Sequence, residues 1–198
     1  MRIIETKAYK FDELSEEAKE NAIEKFRSHQ QQHGEYLYFF AESCEEQAKE
    51  KGFEEIDLSY RLSYSQGDGL SFSAKEYTKL EELFNSVLGK GKEKTAKILA
   101  ENCDVKIEKN QGHYCYASNS DVQIRLEGYS SALNCTNFDR CDEVVEKVEE
   151  MLLNIYLELC SQFENEGYAG IEYQDSDEAI KESIEANEYE FTEDGTQI

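Results

Sequence analysis

The chain has 198 residues, a formal net charge of −23, 39% hydrophobic residues including 13 Tyr and 10 Phe, and neither Pro nor Trp. That hydrophobic share suffices for a core, but a tyrosine-rich core must route its hydroxyls to water or to partners. The charge argues against direct binding to nucleic acid or anionic lipid, no apolar run approaches the ~20 residues of a membrane span, and the N-terminus Met1-Arg2-Ile3-Ile4-Glu5-Thr6-Lys7 turns polar too soon for a signal peptide.

Residues 2 to 9 read as an opening strand. Phe11-Asp12-Glu13-Leu14-Ser15 then starts a helix with Leu14, Ala18, Ala22, Ile23 and Phe26 on one side. A second helix is expected from about Tyr36 to Lys51, with Phe39, Phe40, Cys44 and Ala48 as its stripe and Gly52 as its stop. Ile56, Leu58, Tyr60, Leu62 and Tyr64 alternate along a strand. The chain turns at Gln66-Gly67-Asp68-Gly69 and resumes with Leu70, Phe72 and Ala74. Asp-Gly between alternating segments signals a hairpin, because both residues tolerate positive φ. Residues 76 to 88 and 92 to 102 read as two short helices broken at Gly89-Lys90-Gly91. Val105 to Glu108, Tyr114 to Ala117 and Val122 to Gly128 read as three strands linked by polar turns.

From about Phe138 to Glu166 comes the longest helix. Cys141, Val145, Val148, Leu152, Ile155 and Leu159 step by four and three, and Val144, Met151, Tyr156 and Phe163 widen the stripe. That width suits a helix covering a sheet better than a two-stranded coiled coil. Gly167 and Gly170 are expected to end it. Asp175-Ser176-Asp177-Glu178 has the form of a capping box with Asp175 as N-cap, opening a last helix to about Ala186. Tyr189 and Phe191 suit a terminal strand. Runs of strands alternating with runs of helices imply an α+β fold, an antiparallel sheet with helices packed mainly on one face. The expected organisation is a single domain, residues 1–198, with the acidic helical segment 138–198 packed on it.

Three segments together resemble a family of acidic bacteriophage and prophage proteins: Phe11-Asp12-Glu13-Leu14-Ser15-Glu16-Glu17-Ala18-Lys19, Tyr64-Ser65-Gln66-Gly67-Asp68-Gly69, and Asn187-Glu188-Tyr189-Glu190-Phe191-Thr192-Glu193-Asp194-Gly195. Members generally lack an assigned function, and some carry an antitoxin-like label. They often have Trp where this chain has Tyr64. The resemblance covers both ends and the hairpin, not residues 90 to 138. It implies a phage context and transfers no catalytic residue.

Charge is the main functional signal. The last 60 residues hold 19 Asp and Glu against three Lys and Arg, a net −16, leaving −7 for the rest. A solvated acidic tail would lack the helical stripe found here. Carboxylates in a first helical turn are favoured by the helix dipole, by ~0.3–1 kcal/mol each. That explanation does not reach Glu149 or Glu150. Glu146/Glu150 and Glu178/Glu182 are like-charge i,i+4 pairs, each costing ~0.2–0.5 kcal/mol. One reading is a nucleic-acid mimic, since carboxylates about 5–6 Å apart on a helix face approximate the spacing of phosphates along a strand. The other is an acidic surface that only confers solubility.

The Gln66–Gly69 turn could hold a ligand, or be simply what a tight hairpin requires. It is not a phosphate loop, because no Lys-Ser or Lys-Thr follows. His29 and His33 have i,i+4 spacing but lack the Glu of a H-E-x-x-H site. His113 and Cys115 share a strand face without any other mark of a nucleophilic site. The six cysteines, Cys44, Cys103, Cys115, Cys135, Cys141 and Cys160, form no C-x-x-C pair and read as reduced thiols, mostly core fillers. The tyrosines read mostly as strand or core positions, and any exposed subset would suit a protein interface.

The expected function is that of a non-enzymatic, phage-encoded inhibitor in the host cytoplasm. It would present a nucleic-acid-mimicking surface to a basic host defence protein, of the anti-CRISPR or anti-restriction type. No catalytic residue, metal or cofactor is expected. The expected partner-binding residues are Glu146, Glu149, Glu150, Glu178, Glu182 and Glu185, with Tyr64, Gln66 and Asp68 adding shape. An antitoxin-like or regulatory module using a Tyr-rich surface is the alternative, and a small metal- or Cys/His-dependent enzyme a second.

Overall fold

The computed structural model describes residues 7–29, 33–109, 114–126 and 138–198. The fold is α+β, with helices alternating with short antiparallel strand pairs. By internal contacts the chain divides into two compact units, one of Met1–Tyr38 with Tyr168–Ile198, the other of Phe39–Gly167. The division falls inside helices α2 (Gly34–Lys51) and α5 (Phe138–Gln174). Among the described residues no helix is long and apolar enough to cross a membrane.

In the first unit, strand β1 (Tyr9–Lys10) pairs with the last strand β8 (Glu190–Phe191), Tyr9 lying opposite Phe191. The opening strand is thus two residues long where described, and residues 2 to 6 of the expected strand lie outside the described residues. Phe11–Glu13 forms a single 3-10 turn rather than the first turn of a helix. Helix α1 (Glu16–His29) starts instead at Ser15, whose Oγ accepts the Ala18 N–H at 3.2 Å, the usual role of a serine N-cap. Helix α6 (Asp177–Ala186) lays Ile180 and Ile184 against Ala18, Ala22 and Ile23 of α1, and Phe11 and Phe191 close the cluster. The final turn docks on α1 through Gly195, at φ +79°, where a Cβ would lie 2.1 Å from the Ala18 carbonyl oxygen.

The last two helices differ from expectation at their junction. Helix α5 does not stop at Gly167 or Gly170 but runs through both to Gln174. Each glycine weakens a helix interior by about 1 kcal/mol relative to Ala. Here each lets a neighbour approach closely. A Cβ on Gly170 would stand 1.7 Å from the Tyr36 hydroxyl, and in the second unit a Cβ on Gly167 would stand 2.4 Å from Leu62 Cδ1. The N-cap of α6 is Ser176, whose Oγ accepts the Ala179 N–H at 3.2 Å, not Asp175. Ser176 caps because Asp175 still belongs to the turn leaving α5, its N–H donating to the Ile171 carbonyl at 3.0 Å. The Asp175 carbonyl accepts the Arg27 Nε–H at 2.9 Å.

The second unit is built on two hairpins. Strands β2 (Phe53–Glu54) and β3 (Asp57–Arg61) pair with β5 (Glu76–Tyr77) and β4 (Gly69–Ser73) in one continuous register, Phe53 opposite Tyr77 and Arg61 opposite Gly69. The hairpin is interrupted at Glu55, whose φ is +50°. Strand β6 (Cys103–Glu108) pairs with β7 (Asp121–Leu126) and joins β4 through reciprocal Ala74–Ile107 backbone bonds of 3.1 and 3.2 Å. Helices α3 (Leu80–Leu88) and α4 (Glu93–Glu101) bury Leu80, Leu83, Phe84, Ala96 and Leu99.

Helix α5 covers this sheet with Val148, Leu152, Tyr156 and Phe163, all fully buried. The Tyr156 and Phe72 rings stand 4.7 Å apart. The Tyr156 hydroxyl donates to the Phe72 carbonyl at 2.9 Å and accepts its N–H at 3.1 Å. It thereby occupies both backbone groups of Phe72, and it also meets Ser120 Oγ at 2.8 Å. The expected strand from Tyr114 to Ala117 is absent; Tyr114–Tyr116 is irregular and Ala117–Asn119 forms a 3-10 turn. The cause is that Cys115 N–H donates to the Gly67 carbonyl at 3.3 Å, tying the segment to the first hairpin's turn.

Candidate functional site

The turn between β3 and β4 is organised by Asp68, which is 8% exposed. Its Oδ2 accepts the backbone N–H groups of Ser63 at 2.6 Å and Ser65 at 3.0 Å, and its Oδ1 accepts their hydroxyls at 3.0 and 2.9 Å. The Asp68 N–H closes the turn on the Ser65 carbonyl at 3.2 Å, with Gly67 at the third position and φ +97°, as a type II turn demands. Positive φ therefore falls on Tyr64 (φ +55°), Gly67 and Gly69 (φ +153°), not on Asp68. The aspartate turns inward as an acceptor and shapes the loop. Gln66, at the second position of the turn, is exposed.

That turn seats an aromatic cluster. A Cβ on Gly67 would lie 2.4 Å from Tyr114 Cδ1, so the ring rests against the glycine. The Gly67 N–H donates to the Tyr116 hydroxyl at 3.1 Å. Tyr114 and Tyr116 stack with centroids 5.7 Å apart and planes 13° from parallel. Tyr64, Tyr114 and Tyr116 are 64%, 44% and 39% exposed. The i,i+2 spacing of Tyr114 and Tyr116 was legible, but as alternation along a strand; no sequence signal placed the pair on the turn.

The acidic residues fall in both units. On α5, Glu146 and Glu150 are exposed and Glu149 is half-buried; on α6, Glu178, Glu182 and Glu185 are exposed. Among the described residues no ion pair engages Glu146, Glu150, Glu178, Glu182 or Glu185. Glu182 accepts the Tyr173 hydroxyl at 3.3 Å, and its charge, with burial and this bond adding, holds the phenol above its ordinary pKa.

Of the described thiols, Cys103 and Cys115 are half-buried and two lie in the core. Cys44 and Cys160 are buried, and desolvation pushes each up to about 12. Such thiols are unreactive. His113 and Cys135, and the side chains of His29 and Cys141, lie outside the described residues. His33 Nε2 sits 3.5 Å from Asp175 Oδ1. Among the described residues no group of three His, Cys, Asp or Glu side chains is placed to hold a metal ion. A cleft of about 420 Å³ in the first unit is lined by Lys25, Phe26, Phe191 and the C-terminal residues, and its Lys25 is engaged by Asp194 and Thr196. No protein-family model, curated protein or solved structure matches the chain.

Proposed function

We propose that the protein is a non-enzymatic interaction protein of phage origin that binds a basic protein surface in the host cytoplasm, competing there with nucleic acid. The observation that carries this reading is the set of exposed glutamates that form no ion pair among the described residues, Glu146 and Glu150 on α5 and Glu178, Glu182 and Glu185 on α6. Lys147 and Lys181 stand on the same helices and are also exposed, yet neither forms an ion pair among the described residues. Pairs such as Glu146/Glu150 oppose helix stability, and Lys or Arg on a partner would relieve that repulsion. A host nuclease or other nucleic-acid-binding defence protein offers such a surface, and the proposed activity is inhibition of the anti-CRISPR or anti-restriction type. The resemblance of three segments to acidic phage proteins supplies the setting.

The test is capture of the partner from infected host lysate, followed by affinity measurement at low and high salt. Surface charge pairs are screened beyond about 8 Å at physiological ionic strength, so binding weakens steeply with salt and duplex DNA competes. Replacing the five glutamates by Gln abolishes binding. Equal affinity at low and high salt would falsify the reading. A second reading, an antitoxin-like or regulatory module using a Tyr-rich surface, is favoured by the exposed Tyr64, Tyr114 and Tyr116. It requires Tyr64→Ala to weaken binding more than charge reversal of Glu146 and Glu150.

A further inference from the structure

The geometry points to the hairpin tip as a docking platform for arginine side chains of a basic partner, with Tyr64, Tyr114 and Tyr116 as the recognising groups. The inference rests on the reading that the partner is cationic and adds a second, chemically distinct contact to the acidic helix faces. The chain's charge of −23 selects a basic partner, since long-range fields attract or repel before contact. Charge alone does not distinguish arginine from lysine. Aromatic faces do: a guanidinium is planar, weakly hydrated and stacks on rings, whereas an ammonium keeps its water.

The platform is preorganised, which lowers the entropy lost on docking. Asp68 holds Ser63 and Ser65 through four hydrogen bonds, and the resulting turn positions Tyr64 beyond it. Gly67 fixes the other two tyrosines, by seating the Tyr114 ring and by donating its N–H to the Tyr116 hydroxyl at 3.1 Å. Exposed tyrosines are enriched at interfaces. This also assigns a reason for the four hydrogen bonds that Asp68 gathers in the turn, more than a hairpin connection needs.

Two synthetic peptides of equal charge, four repeats of Arg-Gly-Gly and four of Lys-Gly-Gly, serve as probes against the full chain at low salt. Each exposed ring engaged by a guanidinium is worth about a 2- to 5-fold gain in affinity. The arginine peptide is therefore expected to bind about 5-fold tighter and to shift the ring resonances of Tyr64, Tyr114 and Tyr116. Tyr64→Ala with Tyr114→Ala brings the arginine peptide down to the lysine level, while Tyr114→Phe keeps the preference and shows that the tip still folds. Gln substitution of the five glutamates lowers both peptides equally and preserves their ratio. Equal affinities for the wild type, or a preference that survives the double alanine variant, overturns the proposal. Loss of the arginine preference with intact salt dependence removes the platform alone. Salt-independent binding removes the acidic-surface reading instead.

Discussion

Replacing Asp68 tests whether its carboxylate holds the turn between β3 and β4. In Asp68→Ala, the Ser63 and Ser65 hydroxyls can turn to water, because both residues are exposed. Their backbone N–H groups, held at 2.6 and 3.0 Å from Oδ2, cannot re-aim without breaking the turn. An N–H left without its acceptor costs ~1–3 kcal/mol. The two share one carboxylate and are not additive, so the expected loss is about 2–4 kcal/mol. Asp68→Asn keeps one carbonyl acceptor and should cost about 1–2 kcal/mol. Urea unfolding followed by far-ultraviolet circular dichroism measures both, and a cycle with Ser63→Ala isolates the hydroxyl contribution. If Asp68→Ala unfolds at the wild-type urea concentration, the carboxylate does not hold the turn, and the rigid tip loses its physical basis.

Tyr156→Phe removes the hydroxyl that serves both backbone groups of Phe72 and contacts Ser120. A destabilisation of about 1–3 kcal/mol is expected, and an unchanged urea midpoint would show that water replaces it. Burial raises the thiols of Cys44 and Cys160 to about 12 and of Cys103 to about 11 from an ordinary 9.0, and raises the Tyr156 phenol above its ordinary 10.0. These groups keep their protons in the folded state after the unfolded chain has lost them, so stability is full below about pH 9 and falls as pH rises toward about 12. Urea midpoints at pH 7, 9 and 10.5 check this, and a flat series contradicts it. Gly195→Ala places a Cβ 2.1 Å from the Ala18 carbonyl at φ +79°. Conformational strain and overpacking together predict a loss of about 2–4 kcal/mol, read from the thermal midpoint, and a neutral result would mean the C-terminal turn is not docked on α1.

Local pattern determined much of this protein. The stripe Val145, Val148, Leu152, Leu159 and Phe163 is buried on α5 as its spacing implies, and the Leu70–Phe72 strand pairs with Leu58–Tyr60. These outcomes depend on a period of 3.6 or 2, which the chain carries residue by residue. Other outcomes depended on what lies across space. Gly167 and Gly170 have the form of helix stops, yet α5 passes through them, and the close approach of Leu62 with Phe40, and of Tyr36, accounts for glycine at both positions. Asp175 has the form of an N-cap, but the turn leaving α5 holds it, and Ser176 takes the role. Asp68 suits a tight turn in either case. Only the fold shows that it faces inward and that Tyr114 and Tyr116, from the far side of β6, rest on the same turn. The acidity of the last third was visible in composition. Which of those carboxylates stand exposed without a cationic partner among the described residues was decided by tertiary contacts, because ion pairing is a property of neighbours in space and the sequence specifies only neighbours along the chain.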